Sequence, residues 1–174
     1  MDAALGTWSA GVIGVGYQRR TVDEFVDDLA GMGVSLVVDV RLTPVSRRPG
    51  FSKAALTRAL TGAGVSYEHR PELGNPKPNR AGFAGSAGEL AVARAAYRAL
   101  LEDPGPSQAL DQLAGAGEQQ LVALLCYEAD QRRCHRDVLI EALAARGLGE
   151  GAALWEGSLP LLCRGSRKIG HLGS

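Results

Sequence analysis

LVALLCYEADQRRCHR, running from Leu121 to Arg136, decides the reading of the fold. Leu121 to Tyr127 is an apolar run with cysteine near its end, and a short acidic and basic loop follows. At Cys134-His135-Arg136 a helical pattern starts, continues to Arg146 and stops at Gly147. The spacing predicts strand, loop and helix start, with reactive residue types gathered at the loop. Ligands of α/β folds sit at the carboxyl ends of strands, so this loop is expected to border a site.

Working outward, the same alternation recurs upstream. Trp8 to Gly16 reads as a short buried strand entering a glycine-rich turn. Thr21-Val-Asp-Glu24 matches a capping box, and Val22, Phe25, Val26, Leu29 and Met32 keep helical spacing until Gly31 and Gly33. Ser35 to Arg41, SLVVDVR, is an unbroken apolar run of the kind buried on both faces of a parallel sheet. Ser52 stands at the N-cap position of the helical KAALTRALTGAG, and Val65 to His69 is a third, shorter strand. The proline- and glycine-rich stretch from Arg70 to Ser86 reads as loop. Gly88 to Glu102 is strongly helical, Pro104 and Pro106 break it, and Ser107 caps a second, short helix. The expected architecture is one α/β domain, a Rossmann-like three-layer sandwich with a mainly parallel sheet. Its core spans residues 8–147, and the tail, 148–174, is read as holding one last strand.

Composition bounds the function. At 174 residues the chain supports a single sizeable core, and 45% hydrophobic residues is ordinary for a globular protein. Nineteen basic residues balance nineteen acidic ones, so any preference for anions must come from local clustering. The N-terminus lacks the basic and apolar regions of a secretion signal, and no apolar run approaches the roughly 20 residues of a membrane span. A cytoplasmic location with no membrane partner is expected. There Cys126, Cys134 and Cys163 are thiols rather than a disulfide framework.

Several strand-end residues carry chemistry. Gly16 and Tyr17 precede a capped helix, where free backbone N–H groups would meet an anion, although the full dinucleotide and P-loop fingerprints are missing. Arg41, Arg47, Arg48, Lys53 and Arg58 form a basic run uninterrupted by acids, and arginine holds phosphate or carboxylate bidentately. Asp39 ends an apolar strand two residues before Arg41, so structural pairing and acid/base work are both open to it. Glu72 and Asn75 put one carboxylate and one amide in a turn-prone loop.

The cysteines admit several accounts. Cys126 and Arg132 fit the C-x5-R spacing of phosphatase and rhodanese anion loops, but Glu128 and Asp130 would repel a phosphate and raise the thiol pKa. Cys134, at a helix N-terminus beside His135 and Arg136, is placed for a lowered pKa. Cys126, Cys134 and His135 are also metal-ligand types. The seven residues between the cysteines exceed the usual spacing and no fourth ligand is apparent, so neither a metal nor any other cofactor is expected. Buried thiols supporting the loop are the plain alternative. Cys163, in the tail, is read as packing.

GVGY to TVDEF, VVDVRLTPVSRRPGFSKAAL, YEHRPELGNP and LLCYEADQRRCHRDVLIEAL together resemble the domain-of-unknown-function family 488 (DUF488), over about Val12 to Leu143. The motif order is specific: DVR, RxPGFS, ELGNP, then C-x7-CHR. Its motif positions fall on Gly16, Tyr17, Asp39, Arg41, Pro49 to Ser52, Glu72 to Gly74, Cys126, Glu128 and Cys134 to Arg136. His69-Arg70 departs from the pattern by adding charge where an apolar residue is expected. The resemblance implies no activity, although some members carry a DNA-repair label. VVDVR is also similar to a rhodanese strand end, but the acidic cysteine loop argues against sulfurtransfer.

These residues suggest an enzyme acting on a phosphate-bearing small molecule or nucleic acid. Arg41, Arg47 and Arg136 would hold anionic oxygens, with Gly16, Tyr17, Ser52 and Asn75 lining the substrate. Asp39, Glu72 or Glu128 would do acid/base work, and Cys126 or Cys134, beside His135, would assist or attack. The other readings are a non-catalytic nucleotide-binding module and a thiol-based redox or metal-binding protein.

Overall fold

The computed structural model describes residues 9–148 and the backbone of 153–155. The apolar runs become strands of one parallel sheet: β1 (Gly11–Gly16), β2 (Leu36–Asp39), β3 (Ser66–His69), β4 (Leu121–Cys126) and β5 (Ala153–Trp155). Their spatial order is β3-β2-β4-β1-β5. The tail thus supplies an edge strand, pairing Gly11–Ile13 with Ala153–Trp155. Cys163, expected to pack, lies outside the described residues, as does Trp8 at the start of the expected first strand.

Strand alternation sorts side chains onto two faces. Val12, Leu36, Val38, Val122, Leu124 and Cys126 join one core cluster, which also holds Val138, Leu139 and Leu143. Ile13, Val15, Val37, Ala123 and Leu125 join the other, with Phe25, Leu29, Leu56 and Leu60. The second face is therefore covered by α1 (Val22–Gly31) and α2 (Lys53–Gly62), and the first by helices later in the chain. This is the expected three-layer arrangement, and its sheet is parallel throughout.

The capping box at α1 is present: Glu24 N–H donates to Thr21 Oγ1 and Thr21 N–H to Glu24 Oε2, at 3.3 and 3.0 Å. Ser52 holds the N-cap position of α2, but its hydroxyl makes no capping bond.

Two expectations need correction. Residues 70–86 are not simply loop: a 3-10 turn covers Pro71–Leu73, and α3 spans Lys77–Ala84. Prolines fit a helix's first turn, where no backbone N–H is required, so Pro76 and Pro78 open α3 rather than prevent it. Gly82 then allows close approach to α4 (Ala87–Leu100); a Cβ there would lie 2.6 Å from that of Ala93. The second correction concerns α5, which spans Pro104–Gln119 instead of starting after Ser107. Pro104 occupies its first turn, and Gly117 lets it press on Val12 of β1. The last helix, α6 (His135–Ala145), takes Cys134 as its N-cap, where the sequence placed the helix start.

Candidate functional site

The strand ends converge as the topology requires. Tyr17 follows β1, Arg41 to Thr43 and Val45 to Arg48 follow β2, Asn75 lies beyond β3, and Cys126 to Glu128 leave β4; all border one pocket of about 380 Å³. Because β1 feeds α1 on one face and β4 feeds α6 on the other, the two loops diverge and leave a crevice between them.

On the α1 side lies a fully paired acid. The Asp39 carboxylate, wholly buried, accepts from Arg41 Nε (2.8 Å), Arg41 Nη2 (2.5 Å), the Arg41 backbone N–H (3.1 Å) and Tyr67 OH (2.6 Å). Arg41 Nη1 donates to Tyr17 OH and to the Phe51 carbonyl at 3.0 and 2.9 Å. The Tyr17 ring stacks on Phe51 with centroids 4.2 Å apart. Burial disfavours the Arg41 charge, but Asp39 and Tyr17 outweigh it and hold the guanidinium above its ordinary range. Burial and the bond to Asp39 push the Tyr67 hydroxyl up. Asp39 and Arg41 therefore fasten the loop after β2 to the sheet.

On the α6 side lies the thiol cluster. Cys126 Sγ is 3.3 Å from Glu128 Oε2 and 4.0 Å from His135 Nδ1. Cys134 Sγ is 3.7 Å from the same nitrogen and accepts from Arg136 Nε at 3.2 Å. His135 Nε2 lies 3.1 Å from the Val40 carbonyl oxygen. A carbonyl only accepts, so Nε2 carries a proton and Nδ1 is the nitrogen that faces the two sulfurs. The Tyr97 ring meets His135 edge-on, and Tyr97 OH donates to the Leu73 carbonyl at 2.6 Å, tying the ELG turn to α6 through α4. Burial opposes ionisation of Cys134, but Cys126, Arg136 and His135 overcome it and lower its pKa. Its bond to Cys134, together with burial, keeps the Cys126 thiol protonated to higher pH. Burial also raises Glu128.

The loop carrying Glu128 does not form an anion nest. Its carbonyl points inward and accepts from Arg136 Nη2, and Arg132 is exposed. Gly16 is what admits this carbonyl: a Cβ there would stand 1.9 Å from it. Gly16→Ala is expected to cost about 1–3 kcal/mol, as overpacked sites do. Chemical denaturation would measure it, and an unchanged midpoint would mean the loop does not press on β1. Of the backbone N–H groups near Tyr17, those of Gln18 and Arg20 donate to the Tyr127 and Tyr17 carbonyls, and at the α1 terminus those of Thr21 and Glu24 are taken by the capping box.

Of the residues singled out from sequence, Tyr17, Arg41, Arg47, Asn75, Cys126, Glu128, Cys134 and His135 line the pocket. Asp39 and Arg136 brace it from behind, and Gly16 supports the loop. Ser52 and Glu72 are exposed and do not line it; Glu72 pairs with Arg70, which also pairs with Glu68. Arg48, Arg80 and Arg133 line the pocket but were not among the site residues read from sequence. Arg48 belonged to the basic run noted there. Arg80 lies on α3, whose helix was hidden by its prolines.

Arg47, Arg48, Arg80 and Arg133 make no carboxylate pair among the described residues. Arg48 Nη2 donates to the Arg20 carbonyl, Arg80 Nε to that of Asn75 and Arg133 Nη1 to that of Gly85. Against these four cations the pocket wall offers one acid, Glu128. The mouth adds large apolar surface: Val45 is 71% exposed, Tyr127 41% and Leu42 40%.

A family model described as domain of unknown function DUF488 matches residues 21–143. No curated protein and no solved structure matches. No helix among the described residues is long and apolar enough to cross a membrane.

Proposed function

The chain belongs to the DUF488 family, whose name carries no activity, and from its pocket we propose an enzyme acting on a phosphate-bearing substrate, a nucleotide or a nucleic-acid end. The observation that carries this reading is four pocket arginines without carboxylate partners beside an exposed tyrosine. Guanidinium groups hold phosphate oxygens, and an aromatic face stacks a base. A volume of about 380 Å³ suits a nucleotide-sized group. The Cys126, Cys134, His135 and Glu128 cluster forms the reacting end, and Arg41 and Arg136 set its shape from behind. Cytoplasmic conditions would keep both thiols reduced.

A fluorescein-labelled trinucleotide with a 5′-phosphate, followed by anisotropy, tests the binding half. Arg47→Ala and Arg133→Ala should each weaken it about ten- to a hundredfold, the value of a charged hydrogen bond. Binding should also fall with rising salt. Binding indifferent to salt and to both substitutions would sink the reading. Turnover separates an enzyme from a binding module: release of phosphate or cleavage of the oligonucleotide should require Glu128, so Glu128→Gln that binds normally should be inactive.

A further inference from the structure

The thiol cluster has the composition and spacing of a metal site. We propose that Cys126, Cys134 and His135 bind one thiophilic divalent cation, zinc foremost, with a fourth coordination position facing the pocket.

The donor atoms, two Sγ and His135 Nδ1, all lie within 4.8 Å of one another. Zinc held tetrahedrally, with metal–sulfur bonds near 2.3 Å and metal–nitrogen bonds near 2.05 Å, places sulfur and nitrogen about 3.6 Å apart. The observed separations from Nδ1 are 3.7 and 4.0 Å. The sulfur–nitrogen pairs need to contract by a few tenths of an ångström, and the two sulfurs, within 4.8 Å of each other, need to approach to about 3.8 Å, a movement of about 1 Å at most.

The tautomer is already the ligating one. Nε2–H is anchored on the Val40 carbonyl, which fixes the ring and makes Nδ1 the ligating nitrogen of the neutral form, as backbone carbonyls do for metal-bound histidines. The donors sit on rigid elements: Cys126 ends β4, Cys134 caps α6 and His135 opens it. All three are buried, at 7%, 2% and 6% exposure, so this is no casual surface chelate.

Formal charge agrees. Two thiolates and the Glu128 carboxylate sum to three negative charges, and Arg136, on Cys134 Sγ, supplies one positive. A dication brings the group to zero. The sequence offered no fourth ligand, but an open site needs only three, the fourth position going to water or substrate. All three donors line the pocket, as does Glu128, so the open position faces the arginines. Its use on a phosphate oxygen rests on the function proposed above; the metal site itself does not.

Full-length protein purified without immobilised-metal resin, chelator-treated and kept reduced, would be titrated with cobalt(II). The expected result is one equivalent bound, with tetrahedral visible bands and a thiolate-to-cobalt charge-transfer band that zinc abolishes by displacement. Cys126→Ser and His135→Gln, checked for folding by circular dichroism, should lose that spectrum. Should either variant unfold, X-ray absorption on the zinc-loaded wild type decides, two sulfurs and one nitrogen being required. Absence of the charge-transfer band in wild type, an unchanged spectrum in folded Cys126→Ser, or a zinc shell without sulfur overturns the proposal. Arg47→Ala should keep the cobalt spectrum while losing trinucleotide affinity, so the site and the substrate reading fail separately.

Discussion

Asp39→Ala should lower the unfolding free energy by about 3–5 kcal/mol, the cost of stranding a buried partner charge. The carboxylate accepts four hydrogen bonds, three of them from Arg41. Removing it leaves a guanidinium that is 7% exposed with only Tyr17 OH and the Phe51 carbonyl as partners. The Tyr67 hydroxyl loses its acceptor too. Urea denaturation at unchanged slope reads the loss as a shifted midpoint. Asp39→Ala combined with Arg41→Met should recover part of it, because the buried charge goes with its partner. A loss below about 1 kcal/mol would put the pair in the class of surface ion pairs and refute its anchoring role.

Arg136→Ala should be comparably severe, again about 3–5 kcal/mol, though its partners are a sulfur and a carbonyl rather than a carboxylate. Arg136 is 1% exposed, donates from Nε to Cys134 Sγ and from Nη2 to the Glu128 carbonyl, and has no carboxylate ion pair among the described residues. Its guanidinium is among the groups that lower the Cys134 pKa. Arg136→Lys should rescue little, since a single ammonium cannot span both acceptors in the fixed fork of a guanidinium. With the Glu128 carbonyl released, the loop over the cysteines should loosen, and their reaction with a disulfide reagent should quicken in folded protein. An Arg136→Ala variant as stable as wild type would refute this bracing role.

Much of the fold was legible because its signals are local. Continuous runs such as LVALL and LVVDV are buried on both faces, as a parallel sheet requires. Thr21 and Glu24 announced a helix start, and so did Cys134. The separation of two put Asp39 and Arg41 on one face and left pairing and acid/base work both open; the structure shows the pair. What escaped depends on tertiary packing. The helix Lys77–Ala84 carries more proline and glycine than helix propensity favours, and is held by its contact with α4. Arg80 reached the pocket only with it. Glu72 and Ser52 sit in motif segments yet face solvent, because sequence proximity to a site says nothing of side-chain direction. Nor does periodicity encode strand order, which is what sets Tyr17 near Cys126.

That order has a consequence for the making of the protein. β1 and β2 emerge early from the ribosome but are not neighbours; β4, synthesised more than 80 residues after β2, lies between them. A nascent chain ending at Gln119 holds three strands and no sheet joining the first to the other two. Until Leu121–Cys126 arrives, β1 and β2 offer unpaired backbone edges to other chains. Truncation before β4 should therefore yield aggregates rather than a smaller folded unit. The strand that ends in Cys126 is both the last main piece of the sheet and the carrier of the site, so a chain cannot acquire the pocket before its core has closed.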